Sequence, residues 1–225
     1  MSIFKPFRFI SPLEIEGKAL HILQQMAKTP HYQPEFPLDA SRVAEFLDLD
    51  VVWDIIPSDT QGEIAARILP LEKLIEINEN ILKLQEGFGE STIAHEVGHW
   101  ILHINQEEVN RTLRILNKGI TIKVPPLLCR SEEQVDGIEW QAQYFASCLL
   151  MPQFILTEYV KNLDLTKWQN LYKLAEKFGV TVSNLTHRLK NLGWININKI
   201  SRQITYGKSF YLHESAFKAH QRSVL

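Results

Sequence analysis

The sequence predicts an α+β fold in which helices pack on a small sheet, followed by a basic module of two helices and a tight turn. Three observations carry this. Apolar residues recur at helical spacing in separate stretches, and short runs rich in β-branched residues between positions 51 and 80 are divided by turn residues. The third observation is charge. Residues 1–160 hold 13 Lys and Arg against 23 Asp and Glu, whereas residues 161–225 hold 11 against 3, although the 225-residue chain carries only −2 overall. A core over residues 1–160 and a basic module with its tail over 161–225 follow from that contrast.

The elements run in order. Ile15, Ala19, Ile22, Leu23 and Met26 recur at helical spacing and predict a helix over 14–28, ended near "KTPHYQPEFP". "DASRVAEFLDL" predicts a short second helix capped by Asp39 or Ser41. "VVWDII", "GEIAARILP" and "KLIEINEN" read as about three strands, and "GITIKVPP" as a further strand or a flap.

Between these lies "TIAHEVGHWILH", residues 92–103. On a helix, residues four apart lie about 6 Å apart along the axis and on nearly the same face, so His95 and His99 can converge on one ion. Glu96 then stands about 100° round, where a base acting on a metal-activated water belongs. Ile93, Ala94, Val97, Ile101 and Leu102 give the helix apolar surroundings, and Ser91 or Thr92 offers an N-cap. A third ligand is required. His103 lies about 12 Å along the axis from His95, too far to share an ion on a straight helix.

"IEWQAQYFASCLLMP", residues 138–152, is a second helix by period, with Ala142, Phe145, Ala146 and Leu149 on one face and Pro152 marking its stop. Glu139 near its start reads, alone, as a solvated glutamate favoured by the helix dipole. Beside the first motif it completes the two-His, one-Glu set of a catalytic zinc site with an open position. Gln143, one turn on, faces the same way and can orient a ligating imidazole.

The two blocks resemble the signature blocks of the ImmA/IrrE family of zinc-dependent metallopeptidases, and "LIEINEN" is similar to the strand preceding the metal helix there. The resemblance spans most of residues 14–195. It implies a zincin-like peptidase core, Zn2+ on His95, His99 and Glu139, and Glu96 as the catalytic glutamate. It also implies a cytoplasmic protein substrate, a helix-turn-helix transcriptional repressor whose cleavage relieves repression. The second block reads Ala142-Gln143 where the family has Ala-Asn or Ala-Asp, and a longer, uncharged amide raises imidazole basicity less than a carboxylate would. His103, His187 and His213 are the candidate donors to a developing oxyanion.

"TKWQNLYKLAEKFGVTVSNLTHRLKNLGWI" places Leu171, Leu174, Ala175 and Phe178 on one helical face, a turn at Gly179, then Val182, Leu185, Leu189 and Leu192 on the next, a helix-turn-helix pattern. Ser183, Asn184, Thr186, His187, Arg188 and Lys190 are left to face outward. Lys173, Lys177, Asn184, Arg188 and Lys190 form the candidate docking surface. Two uses compete: phosphate neutralisation with Asn184 or Arg188 at base edges, or attraction of an acidic protein. A DNA-binding regulator, or a partner in a toxin–antitoxin-like system, with a vestigial metal site is the alternative to the enzyme. Two His and a carboxylate also suit Fe(II) in an oxygenase, but that gives Glu96 no task.

The remaining composition fits a cytoplasmic enzyme. At 45% hydrophobic content the chain buries a core, no apolar run reaches membrane-spanning length, and "MSIFKPFRFISP" lacks the apolar stretch of a secretion signal. Cys129 and Cys148 lie in different contexts and do not form a disulfide framework. Cys129, in "VPPLLCRS", reads as a loop thiol, with the alternative of an inhibitory thiolate at the open metal position.

Overall fold

The computed structural model describes residues 2–60, 62–80, 87–130 and 137–210, with Arg130 described by its backbone alone. The chain divides into two compact units, Met1–Leu150 and Met151–Leu225. The boundary drawn from charge at 160/161 lies one helix further along. No described helix is long and apolar enough to cross a membrane.

In the first unit, α1 (Pro12–Lys28) is capped by the Ser11 hydroxyl, which accepts from the Glu14 amide at 3.2 Å. It buries Ile15, Ala19, Ile22, Leu23 and Met26, the residues its periodicity selects. Asp39 caps α2 (Ala40–Phe46), accepting from the Ser41 and Arg42 amides. Three strands follow, β1 (Asp50–Asp54), β2 (Ile64–Leu69) and β3 (Leu74–Asn78). The fourth, β4 (Leu127–Arg130), completes a sheet of order β1-β3-β2-β4, in which β1 runs parallel to β3 and the other pairs are antiparallel.

Period-two alternation gives the sheet one apolar face. Ile75 pairs with Ile68 and Ile77 with Ala66, all four fully buried, while Arg67 and Glu76 form an ion pair on the opposite face. Helix α3 (Phe88–Leu102) packs against β2 and β3, and also against α2 and α5 (Ile138–Leu150). Two expectations are corrected here. The segment 119–126, expected as a strand or a flap, forms no strand; the strand is formed by the next four residues, so Cys129 lies on a strand and not in a loop. Helix α3 starts before Ser91 and Thr92, at a Gly87 cap, and both hydroxyls instead donate back along the helix to the Gly87 and Phe88 carbonyls. Helix α4 (Gln106–Leu116), capped by Asn105, was not anticipated.

The close approach of α3 and α5 depends on Gly98. A Cβ there would stand 3.0 Å from the Ala142 carbonyl oxygen and 3.1 Å from the Ala142 Cα. The glycine inside the His-Glu-x-x-His motif lets the two ligand-bearing helices touch backbone to backbone.

The second unit contains α6 (Gln153–Val160), α7 (Trp168–Lys177), α8 (Val182–Asn191) and a hairpin of β5 (Ile195–Ile197) and β6 (Ile204–Tyr206). Gly179, at φ 60°, turns the chain between α7 and α8, and the Thr181 hydroxyl caps α8 through the Asn184 amide. Leu171, Leu174, Ala175, Phe178, Leu185 and Leu189 are buried, as their spacing predicts. Two residues expected to face outward are buried instead, Thr186 and Arg188. The Arg188 guanidinium, wholly inaccessible, donates from Nε to the Met151 carbonyl at 3.0 Å. Its stem packs in the core, so it cannot present itself to a phosphate or a base edge.

Candidate metal centre

Four residues from two helices meet at the α3–α5 contact. His95 and His99 lie one turn apart on α3, and their Nε2 atoms are 2.9 Å apart. Glu139, in the first turn of α5, brings Oε2 to 3.0 Å from His95 Nε2 and Oε1 to 3.3 Å from His99 Nε2. Tetrahedral zinc with bonds of about 2.0–2.1 Å would hold its ligand atoms about 3.3 Å apart. The three side chains therefore converge as donors to one ion must.

The electrostatics fit a cation at this point. Burial pushes the Glu139 carboxyl up, but hydrogen bonds to His95 and His99 and their charge outweigh it, leaving it well below the usual carboxylate range. Burial pulls His95 down, yet the Glu139 bond and the charges of Glu96 and Glu139 carry it above its ordinary value. His99 is held down at about 4, first by burial. An ionised carboxylate thus faces a neutral imidazole and one that favours positive charge. Gln143 also reaches the His95 ring, and that bond favours the charged imidazole.

Glu96 is the unusual member. It is fully buried, and neither carboxylate oxygen has a hydrogen-bond partner. Burial pushes it up to about 7; His95 opposes the shift, Glu139 adds to it, and the Cys129 thiol on β4 draws it slightly back. A buried carboxylate without partners is costly to keep in a core with no task. A divalent ion beside it would draw it down and stabilise its charged form.

Behind His99 the structure holds a chain of bonds absent from the sequence reading. His99 Nδ1 lies 3.0 Å from His103 Nδ1, His103 Nε2 lies 3.0 Å from Gln141 Oε1, and Gln141 Nε2 donates to the Arg8 carbonyl at 2.9 Å. The last bond orients the amide, so Oε1 faces His103 and can only accept. His103 Nε2 therefore carries the proton, its Nδ1 accepts from His99 Nδ1–H, and His99 Nε2 is left as a lone pair facing the other donors. Burial, the largest influence on His103, holds its pKa below the ordinary value, consistent with the neutral ring this requires. The anchoring segment is itself pinned: the Lys5 amide donates to the His103 carbonyl at 2.8 Å and the Asn105 amide to the Ile3 carbonyl at 2.8 Å.

The candidate oxyanion donors separate. His103 spends both ring nitrogens on His99 and Gln141, which leaves it no N–H for an oxyanion. His187 is exposed on α8 in the second unit, its pKa held down by partial burial and by Lys190. His213 lies outside the described residues. Spacing could have found the His103 relay, since the rule that pairs His95 with His99 also pairs His99 with His103. Gln141 gave no such signal. It stands two residues from Glu139, on a different side of α5.

Comparison with known proteins gives three results. No curated protein sequence matches the chain. A Mycobacterium tuberculosis transcriptional regulator is similar at 16% identity and a TM-score of 0.49, over 86% of this chain and 55% of that one, so this chain spans about half that protein's length. The family model of peptidase M78, described as the IrrE N-terminal-like domain, matches residues 55–190, a segment that includes both ligand helices. With more than half of its length matched, the chain belongs to the ImmA/IrrE family and carries that family's metallopeptidase-like domain.

Proposed function

We propose that the protein is a zinc-dependent metalloendopeptidase that hydrolyses a peptide bond in a cytoplasmic protein, a helix-turn-helix repressor, and so relieves repression. The convergence of His95, His99 and Glu139 beside an unpartnered, buried Glu96 carries this reading. Zinc on those three donors would supply a water acidified toward neutrality and a polarised scissile carbonyl. Glu96 takes the proton of the attacking water and returns it to the leaving amine, and its complete burial shields that proton from bulk solvent. His103 and Gln141 fix the tautomer of His99, and Gln143 steadies His95.

The second unit supports recognition of the substrate in this proposal. Lys173 and Lys177, one turn apart on α7, and Lys190 on α8 are exposed, and Asn184 is half-buried beside them in sequence on α8. With Arg188 withdrawn into the core, this helix-turn-helix-like pair offers ammonium groups, that of Lys177 lying 5.0 Å over the Tyr159 ring, suited to an acidic protein surface and not the guanidinium fork that reads guanine.

The test is proteolysis of a candidate repressor by the zinc-loaded protein, followed by intact-mass analysis. Glu96→Gln keeps size and should retain zinc while cleavage falls by about 10² to 10⁴-fold, the loss typical of a missing general base. Cleavage that persists undiminished in this variant would remove Glu96 from the mechanism.

A further inference from the structure

The first metal-ligand group has a neighbour. Cys129 Sγ, a Glu96 carboxylate oxygen and a His95 ring nitrogen all lie within 4.8 Å of one another, a second donor triplet that shares His95 with the first. The sheet aims the thiol there. Cys129 pairs with Ala66 and so lies on the same face as Ala66, the buried face against which α3 packs. The β2–β4 register shifts between Ile64 and Ala66, opposite the step from Arg130 to Cys129. Such bulges re-aim a side chain at the edge of a sheet. The fully buried Glu96 carboxylate, whose oxygens have no hydrogen-bond partner among the described residues, shares this space with the His95 ring.

We propose that Cys129 is a silencing ligand of the metal centre: its thiolate takes the coordination position that the attacking water needs. The inference rests on the metallopeptidase reading above. In the step, the Cys129 S–H proton passes to the Glu96 carboxylate, the sulfur–metal bond forms, and the metal–water bond breaks with water leaving to solvent. The reverse step reopens the centre. Closure disables the chemistry twice, because a four-coordinate site with a thiolate is of the inert structural kind and a protonated Glu96 is no longer a base. The sulfur moves within a four-residue strand that, among the described residues, is paired on one side only, by β2.

Cobalt substitution of the full-length protein tests this without reference to turnover. Wild type should bind one cobalt per chain and show a thiolate-to-cobalt charge-transfer band in the near ultraviolet. Cys129→Ser and Cys129→Ala should keep the cobalt and lose the band, whereas Cys148→Ala should keep both. Metal should also slow the reaction of the Cys129 thiol with an aromatic disulfide reagent at least tenfold relative to the metal-stripped protein, and zinc-loaded Cys129→Ser should turn over a substrate peptide severalfold faster than wild type. Stoichiometric cobalt that is lost in His95→Ala, with no sulfur band and no protection of the thiol, overturns the role of Cys129 and leaves the metallopeptidase reading intact. Absence of cobalt binding, or binding unchanged in His95→Ala and His99→Ala, overturns both.

Discussion

His99 Nδ1 and His103 Nδ1 face each other at 3.0 Å, and the direction of that bond is set by a glutamine amide anchored to the Arg8 carbonyl. Two like nitrogens at hydrogen-bond distance require opposite roles, so the ring nearer the metal centre must be the donor there and the lone-pair carrier at Nε2.

Removing this support should weaken metal binding without touching a ligand. His103→Ala should lower zinc affinity by about 10- to 100-fold, the range found when the partner of a ligating histidine is lost. Gln141→Ala should have a smaller effect of the same sign. His21→Ala, at an exposed position on α1, should have none. Competition with a chelator of known affinity measures all three; equal affinity for wild type and His103→Ala would show that the relay is ornamental.

Gly98→Ala should separate the ligand helices. The added methyl meets backbone, not a flexible side-chain tip, so the cost should be about 1–3 kcal/mol of stability. Because the displaced helix carries Glu139, zinc affinity should fall together with the thermal midpoint. A variant that unfolds at the wild-type temperature with full affinity would mean the helices absorb the methyl freely.

Glu90 gives a pH dependence away from the metal. Its carboxyl is held above the ordinary value of 4.5 by burial and by Asp39, against the pull of the Ala40 amide that it accepts at 2.7 Å. A raised folded-state pKa means that the folded protein holds the proton more tightly than the unfolded chain. Its contribution is therefore fully present below the ordinary value and is lost as pH rises through the raised one. Glu90→Gln keeps an acceptor for Ala40 and does not titrate, so its stability relative to wild type should improve between about pH 4 and about pH 7. Urea midpoints at both values check this, and a constant difference would refute it.

The basic module should divide by burial. Arg188→Ala leaves the Met151 carbonyl without its charged donor and should destabilise the second unit by about 1.5–3 kcal/mol. Replacing Lys173, Lys177 and Lys190 together by Gln should change stability by less than about 0.5 kcal/mol per site. The triple variant should instead associate more slowly with an acidic protein partner and show a flatter salt dependence. Stopped-flow association at two ionic strengths, beside thermal unfolding, separates the two effects.

The residues whose role follows from periodicity were legible in the sequence. The buried face of α1, the pairing of His95 with His99 and the apolar face of α5 all obey a single local rule and appear where that rule puts them. Legibility failed where a side chain's fate is decided by elements far along the chain. Arg188 looks solvent-exposed on a helical wheel, but the Met151 carbonyl 37 residues earlier gives it a buried partner. Cys129 looked like a loop thiol because "LLCR" is too short to announce a strand, and only its pairing with β2 brings it to the metal helix. Gln141 is joined to Arg8 across 133 residues, a separation at which no sequence period operates.

The last acceptor in the His99 relay is a main-chain oxygen, and that hides the contribution of position 8 to the relay from side-chain mutagenesis. Every amino acid supplies the same carbonyl, so an alanine scan at position 8 would register the loss of the exposed Arg8–Glu14 ion pair and miss the relay. What the site requires there is a path of the chain and not a side chain. The path is steered by the buried Ile3 side chain, by the Lys5 ammonium on the Ile101 carbonyl and by the main-chain bonds of both residues beside His103, and the damage from an insertion between them would surface as a metal-binding defect nearly a hundred residues away.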